Sequence, residues 1–551
     1  MTSRAPLLLA LAFMTPLAVA LAQPNGASNG ATNGAPRAQT KNGVVQGLAL
    51  PSGVRSFRGI PYAAPPVREL RWRPPQPATS WQGVRLADRF ANQCMQARPF
   101  GDMMFRNAGV SEDCLYLNVW SPPNAAPGAR LPVLFYIFGG GWIAGDGSEP
   151  RYDGESMARR GIVVVTLSHR LGIFGFFSHP ELAAESPQHA AGNYGYMDQT
   201  AALRWVRDNV AQFGGDPAQV TIAGESAGSF AVSAQMASPL AKGLFARAIG
   251  ESGAHFGTSA AVPTREESER NGVAFAGRVG ATSLAGLRAL SATELLELSG
   301  RPGMPRFPAN VDGLFFPKAP EAIYGAGEQA KVPLLAGWNS EEANGRGLVR
   351  GEPTADSARA VFARLFGARA ADAEKAYPLG SADEIARSLT DLASDRFTGF
   401  ATWKWLEEHA RTSGQPVYRY LYARPRPAPV EAGVTANLAG GVTRGGPGSA
   451  PPPARGAVHS AEIEYALGNL PLNKVFGWTP DDFKVSETMQ GYFANFIKTG
   501  DPNGAGLPAW PRGGVTNGQV QRIRIDVETR AEAEPRARYQ FLDQPAAATR
   551  P

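Results

Sequence analysis

Beyond its N-terminus, the 551-residue chain has no stretch approaching twenty uninterrupted apolar residues, so nothing in its body reads as a transmembrane segment. Basic residues outnumber acidic ones only 54 to 48, and the resulting +6 charge is dispersed. Without a basic stripe and interleaved aromatics, a nucleic-acid partner is not expected, and the balance supports no more than weak attraction to anionic surfaces or acidic substrates. Internal repeats are lacking. So is any cluster with metal-ligand spacing, because the His-x-x-Glu of His459-Ser460-Ala461-Glu462 stands alone. No metal and no cofactor is expected. Histidine is scarce at six residues, which leaves a short list for any chemistry that needs an imidazole.

What the chain does have is enough apolar material, 43% of its residues, for a sizeable core. Apolar runs of strand length at 131–138, 161–168, 220–223, 332–336 and 417–422 alternate with helical patterns at 197–213, 229–237 and 485–498. That alternation predicts an α/β fold with a mostly parallel sheet. The stretches 264–300 and 353–412 are helical and more polar, as expected of segments covering the sheet or forming a lid. The N-terminus carries Arg4, an apolar run over 7–13 and Ala20-Leu21-Ala22, the pattern of a signal peptide over 1–22 cleaved before Gln23. Residues 23–41, rich in Pro, Asn, Gly, Ala, Ser and Thr, read as a disordered leader. The expected domain is then 42–545, with 424–457 a flexible insertion because Pro, Gly and Ala supply almost no large anchors there.

The most informative stretch is Gly224-Glu225-Ser226-Ala227-Gly228, which fits G-x-S-x-G between a short apolar strand and a helical pattern. A serine on such a turn is a candidate nucleophile, and small neighbours let strand and helix approach closely. The run at 131–138 ends in Gly139-Gly140-Gly141-Trp142, a loop whose N–H groups are free to face a developing oxyanion together with that of Ala227. Serine needs a base and an acid. Of His169, His179, His189, His255, His409 and His459, only the last falls late in the chain, as the order Ser, acid, His demands. For the acid, Glu342 and its neighbour Glu341 both follow the apolar 332–336 run, and spacing alone does not choose between them.

Several further segments resemble the type-B carboxylesterases, the group that includes cholinesterases, para-nitrobenzyl esterases and neuroligins. They are the segment 58–66 (RGIPYAAPP) with Leu70-Arg71-Trp72, the segment 111–119 (SEDCLYLNV), Gly192-Asn193-Tyr194-Gly195 with Asp198-Gln199, the segment 213–217 (FGGDP) and the segment 498–503 (KTGDPN). The resemblance runs from Asn42 to about Arg512. It implies an α/β-hydrolase fold and a serine carboxylesterase acting through an acyl-enzyme on a small-molecule ester. Its acid motif, G-x-N-x-x-E-G, selects Glu342, although Ala343 stands where the last glycine is usual. The implied catalytic set is Ser226, Glu342 and His459, with Gly140, Gly141 and Ala227 as oxyanion donors and Glu225 and Ser252 in support. The resemblance also implies ion pairs Arg71–Glu112 and Arg170–Asp198 and a disulfide between Cys94 and Cys114, the only two cysteines. An even count in an exported protein accords with that pairing. The loop it closes holds Met95, Phe100, Met103, Met104 and Phe105, candidates for an apolar rim. Inside the esterase class, a lipase or a specialised esterase for aromatic or polycarboxylate esters is the alternative. Outside it stands a neuroligin-like binding module, disfavoured because no triad member is missing.

Overall fold

In the computed structural model the described residues are 34–544, except 101–102, 258–260, 437–441, 445–453, 513–514 and 517–518. The expected signal peptide lies outside them. Residues from Pro36 onward belong to one unit, organised by a twelve-stranded sheet. Its principal strands are β1 (Arg55–Pro61), β2 (Tyr116–Ser121), β3 (Leu131–Ile137), β4 (Val163–Leu167), β5 (Gly215–Glu225), β6 (Arg247–Glu251), β7 (Leu334–Asn339), β8 (Val417–Tyr422) and β9 (Gln519–Ile525). They lie side by side in the order 1-2-4-3-5-6-7-8-9. Every neighbouring pair from β4 to β9 is parallel, while β1/β2 and β2/β4 are antiparallel.

The strands read as continuous apolar runs because both sheet faces are covered. Along β3, Val133, Phe135 and Ile137 join one buried cluster, and Leu134 and Tyr136 join the other. This period of two sends alternate side chains to opposite layers. The first layer includes α1 (Tyr194–Asn209), through Leu203 and Val206, and α2 (Ala227–Ala237), through Ala231 and Val232. Further along the chain come α3 (Arg265–Val279), α4 (Ala382–Ser394) and α5 (Phe400–Ser413). The opposite layer contains α6 (Pro480–Thr499), through Val485, Met489, Phe493 and Phe496. Thr479 caps α6, its hydroxyl accepting from Asp482 N–H while the Asp482 carboxylate accepts in return.

Two boundaries differ from expectation. The leader's last residues are structured: Arg37–Thr40 pairs antiparallel with Gly43–Gln46, burying Ala38 and Thr40, and Lys41 N–H donates to Asn209 on α1. A short hairpin needs only alternate buried side chains, which composition over a longer window hides. The described beginning of the expected insertion is anchored as well. Arg424 pairs with Asp482 at 2.7 Å, Arg426 with Glu464 at 2.7 Å, and Val430 N–H donates to Val475 C=O. Arginines, rather than large apolar side chains, hold this stretch, and the guanidinium of Arg426 also stacks on Phe476.

Candidate active site

Functional side chains of such sheets collect at the carboxyl ends of the strands, where the strand order reverses. Here β3 leads to β4 on one side and β5 leads to β6 on the other, so the order reverses between the neighbouring strands β3 and β5. At the end of β5, Ser226 has φ 54° and ψ −123°, the left-handed half of backbone space that an L-residue adopts only under constraint. The constraint is visible: Ser226 N–H donates to Glu251 C=O at 2.8 Å, and Phe230 N–H donates to Ser226 C=O at 2.9 Å. Close approach does the rest. A Cβ on Gly224 would meet the Gly228 backbone at 2.6 Å, and one on Gly228 would collide with Ile137 C=O.

Beside this turn, the end of β3 runs into Gly140 and Gly141, with φ of 119° and 64°. Among the described residues, no acceptor takes the N–H of either glycine, nor that of Ala227 at the start of α2. Trp142 follows with φ 61°, held by Gly172 N–H on its carbonyl and by its own Nε1–H on the Tyr196 hydroxyl at 2.8 Å.

The candidate acid lies in the loop after β7. Glu342 is fully buried, its Oε1 accepts from Asn339 N–H at 2.7 Å, and its Oε2 lies 2.6 Å from His459 Nδ1. Glu341 turns elsewhere and accepts from Arg455 N–H at 3.1 Å. Although more than a hundred residues apart in sequence, the acid and histidine loops are stitched together. Glu341 N–H donates to Ala457 C=O, Ala457 N–H to Ser340 Oγ, and Asn339 Nδ2–H to Val458 C=O, each at 2.8–2.9 Å. His459 Nε2 faces Glu225 Oε1 at 3.3 Å, next to Ser226 in the chain. Among the described residues the ring nitrogens of His459 contact Glu342 and Glu225, and no hydrogen bond from Ser226 Oγ to that ring is formed. Such contacts commonly tighten only when an acyl group is bound.

The other five histidines are occupied differently. His169 is stacked on Phe138 and pushed down to about 4 by burial, and His409, similarly pushed to about 4, meets Val332 C=O. His179 accepts from Glu181 N–H, His189 is exposed, and His255 packs among Trp142, Phe230 and Phe316.

Behind Ser226 and His459 lies a group of carboxyls that motif reading largely missed. Glu225, Glu251 and Glu462 are all buried. Ser460 Oγ–H donates to Glu225 Oε1 at 2.6 Å, Tyr136 O–H to Glu251 Oε1 at 3.1 Å, and Asn339 Nδ2–H to Glu462 Oε2. Ser252, with φ 60°, makes a long 3.5 Å contact from its hydroxyl to Glu462 Oε1. Burial raises all three carboxyls, and Glu251 reaches about 8 with the added repulsion of Glu225. For His459 burial acts against the charged ring, but Glu225 and then Glu342 outweigh it, and the pKa rises above 6.5. Glu462 is the glutamate of the His-x-x-Glu, and its carboxylate is engaged by Asn339 and Ser252.

Cys94 and Cys114 are joined, and the part-buried pair Arg71–Glu112 (2.6 Å) and the buried pair Arg170–Asp198 (2.7 Å) form as expected. Within the disulfide loop, Phe100, Met103 and Phe105 pack against Ala144 just past the glycine loop. Met95 is buried in the main core instead.

The carboxylesterase family model matches residues 34–542. The chain belongs to the carboxylesterase family. It is 34% identical over 494 residues to the fumonisin B1 esterase of Sphingopyxis macrogoltabida, covering 86% of this chain and 84% of that one. With rat carboxylesterase 1D it shares 35% over 510 residues, covering 85% and 84%. A PNB esterase structure superposes with a TM-score of 0.75 at 29% identity, covering 92% of this chain and 99% of that chain. A Geobacillus stearothermophilus carboxylesterase gives 0.75 at 30%, covering 92% and 100%. The protein is therefore a carboxylic ester hydrolase with the α/β-hydrolase fold of its family. No helix among the described residues is long and apolar enough to cross a membrane.

Proposed function

We propose that this carboxylesterase is an exported enzyme in which Ser226 is the nucleophile, His459 the general base and Glu342 the acid. The observation that carries the reading is the 2.6 Å contact between Glu342 Oε2 and His459 Nδ1, with Nε2 turned toward the Glu225–Ser226 elbow. With Nδ1–H donating to Glu342, Nε2 is the basic nitrogen. It takes the Ser226 proton as Oγ attacks the ester carbonyl. Glu342 stabilises the imidazolium that forms, and the N–H groups of Gly140, Gly141 and Ala227 receive the oxyanion. Each such donor is typically worth about 3 kcal/mol in the transition state. His459 next protonates the departing alcohol, then activates water to release the acyl group. Glu225 and Ser252 belong to the supporting layer beneath.

The relatives' names include fumonisin B1, fatty acyl-CoA and acylcarnitine among the molecules acted on. These names make oxygen esters and acyl thioesters the panel to begin with. Export through cleavage after Ala22 accords with the Cys94–Cys114 bond, and N-terminal sequencing of material recovered outside the cytoplasm should begin at Gln23.

Ser226→Ala tests the central assignment. The variant should fold normally and lose at least about a thousandfold in kcat. Retention of more than a few per cent of turnover would remove Ser226 as nucleophile.

A further inference from the structure

Phe397 combines two features that the esterase mechanism above leaves unexplained: it is a large apolar side chain 36% exposed, and it packs on His459. Its ring centroid is 4.9 Å from that of the imidazole, at an interplanar angle of 67°. The residue sits in Asp395–Gly399, a π-helical turn between α4 and α5. Along α4 the buried stripe runs through Leu389, Leu392 and Ala393. Continued at 3.6 residues per turn, it would bury positions 396 and 397. The wider turn instead buries Asp395, Thr398 and Gly399 and turns Arg396 and Phe397 outward. Inserted turns of this kind concentrate at functional sites.

The turn is also tied to the catalytic loop. Ser394 Oγ accepts from Ala343 N–H at 3.2 Å and donates to Ala343 C=O at 3.3 Å, directly after Glu342. On the far side, Asp395 accepts from the Tyr377 hydroxyl at 3.0 Å and pairs with Arg538 at 3.1 Å. Phe397 is thus held in register with the acid and the histidine.

We propose that Phe397 is a specificity-determining residue, the wall against which the leaving alcohol of the ester is held. The inference rests on the triad reading above. In the tetrahedral intermediate the carbonyl oxygen points to the glycine loop, and the leaving oxygen must come within about 3 Å of His459 Nε2 to receive its proton. The carbon attached to that oxygen then lies at the edge of the imidazole, where the exposed part of the Phe397 ring is the adjoining apolar surface. An aromatic or bulky alcohol gains this contact, whereas a small alkyl alcohol does not reach it.

Benzyl acetate and ethyl acetate share an acyl group and release alcohols of similar acidity, so their kcat/KM ratio isolates the contact. The wild-type enzyme should favour benzyl acetate, and Phe397→Ala should lower the benzyl-to-ethyl ratio about fivefold, whatever common factor it imposes on both esters. Phe397→Leu, which keeps an apolar side chain at the position should Ala fail to fold, should lose about half as much on a logarithmic scale. The ethyl butyrate to ethyl acetate ratio should stay constant in both variants. No wild-type preference for the benzyl ester, an unchanged ratio in the variants, or a change in the acyl-length ratio would each overturn the proposal. Failure of the triad reading shows separately, as turnover that survives Ser226→Ala.

Discussion

The two sides of the catalytic residues are built from different materials. Behind them, Glu225, Glu251 and Glu462 form a buried floor at the ends of β5 and β6 and in the histidine loop. The apolar wall is made of separate pieces on loops and a π-helical turn: Phe397 on His459, the half-buried Trp142 after the glycine loop, and Phe100 and Phe105 packed with Met103 and Ala144. The floor is polar but closed to water, and its carboxyls act on His459 through the field they create. The wall touches whatever enters. On the reading proposed above, charge in the dry layer sets the chemistry, and shape in the open layer sets the choice of ester.

The sharpest test of the floor separates two neighbouring glutamates. Glu342→Gln, which removes the charge on His459 Nδ1, should lower kcat by about three to four orders of magnitude. Glu341→Gln, whose carboxylate serves Arg455, should change it less than about threefold. A reversed ranking would move the acid by one residue.

A second test uses pH. His459 acts as a base only when neutral, and its folded pKa is raised, so activity is full above that pKa and falls as pH drops through it. The acid limb of kcat/KM should thus lie above the 6.5 of an ordinary imidazole. Glu225→Gln removes one raising charge. Glu342, a further raising influence, and Arg151, a lowering one, remain in place. The limb should move to lower pH in that variant, and an unmoved limb would mean that Glu225 does not govern the imidazole.

The smallest expected effect concerns the wall. Cation–π attraction to a quaternary ammonium is strongest over tryptophan. No tryptophan lies between Cys94 and Cys114, and Phe100 and Phe105 are committed to packing with Met103 and Ala144. Phenyl acetate should therefore exceed acetylcholine in kcat/KM by about tenfold. A clear preference for acetylcholine would show that the wall offers a cation site after all.

The elbow, the glycine loop and the late histidine were legible in the sequence because each rests on a local requirement: a strained turn, free N–H groups, or an order along the chain. Strand positions were legible for a similar reason, since 131–138 and 417–422 are apolar runs bounded by loops, and the observed strands are Leu131–Ile137 and Val417–Tyr422. Between Glu341 and Glu342 the residues were silent until a family motif chose. In the structure the loop after β7 turns Glu342 toward His459 and Glu341 toward Arg455.

What the sequence determined by itself was the set of candidates for the reaction: a serine on a G-x-S-x-G turn, a histidine late in the chain and two adjacent carboxylates between them. Only the tertiary structure decided what surrounds them. Glu225, Glu251 and Glu462 come from segments up to 237 residues apart and share one buried layer, while Phe397 reaches His459 through the phase of a single helical turn. Motifs record backbone requirements within a few residues. Desolvation, mutual repulsion of carboxyls and contact across 62 residues depend on distances that exist only after the sheet has closed around them.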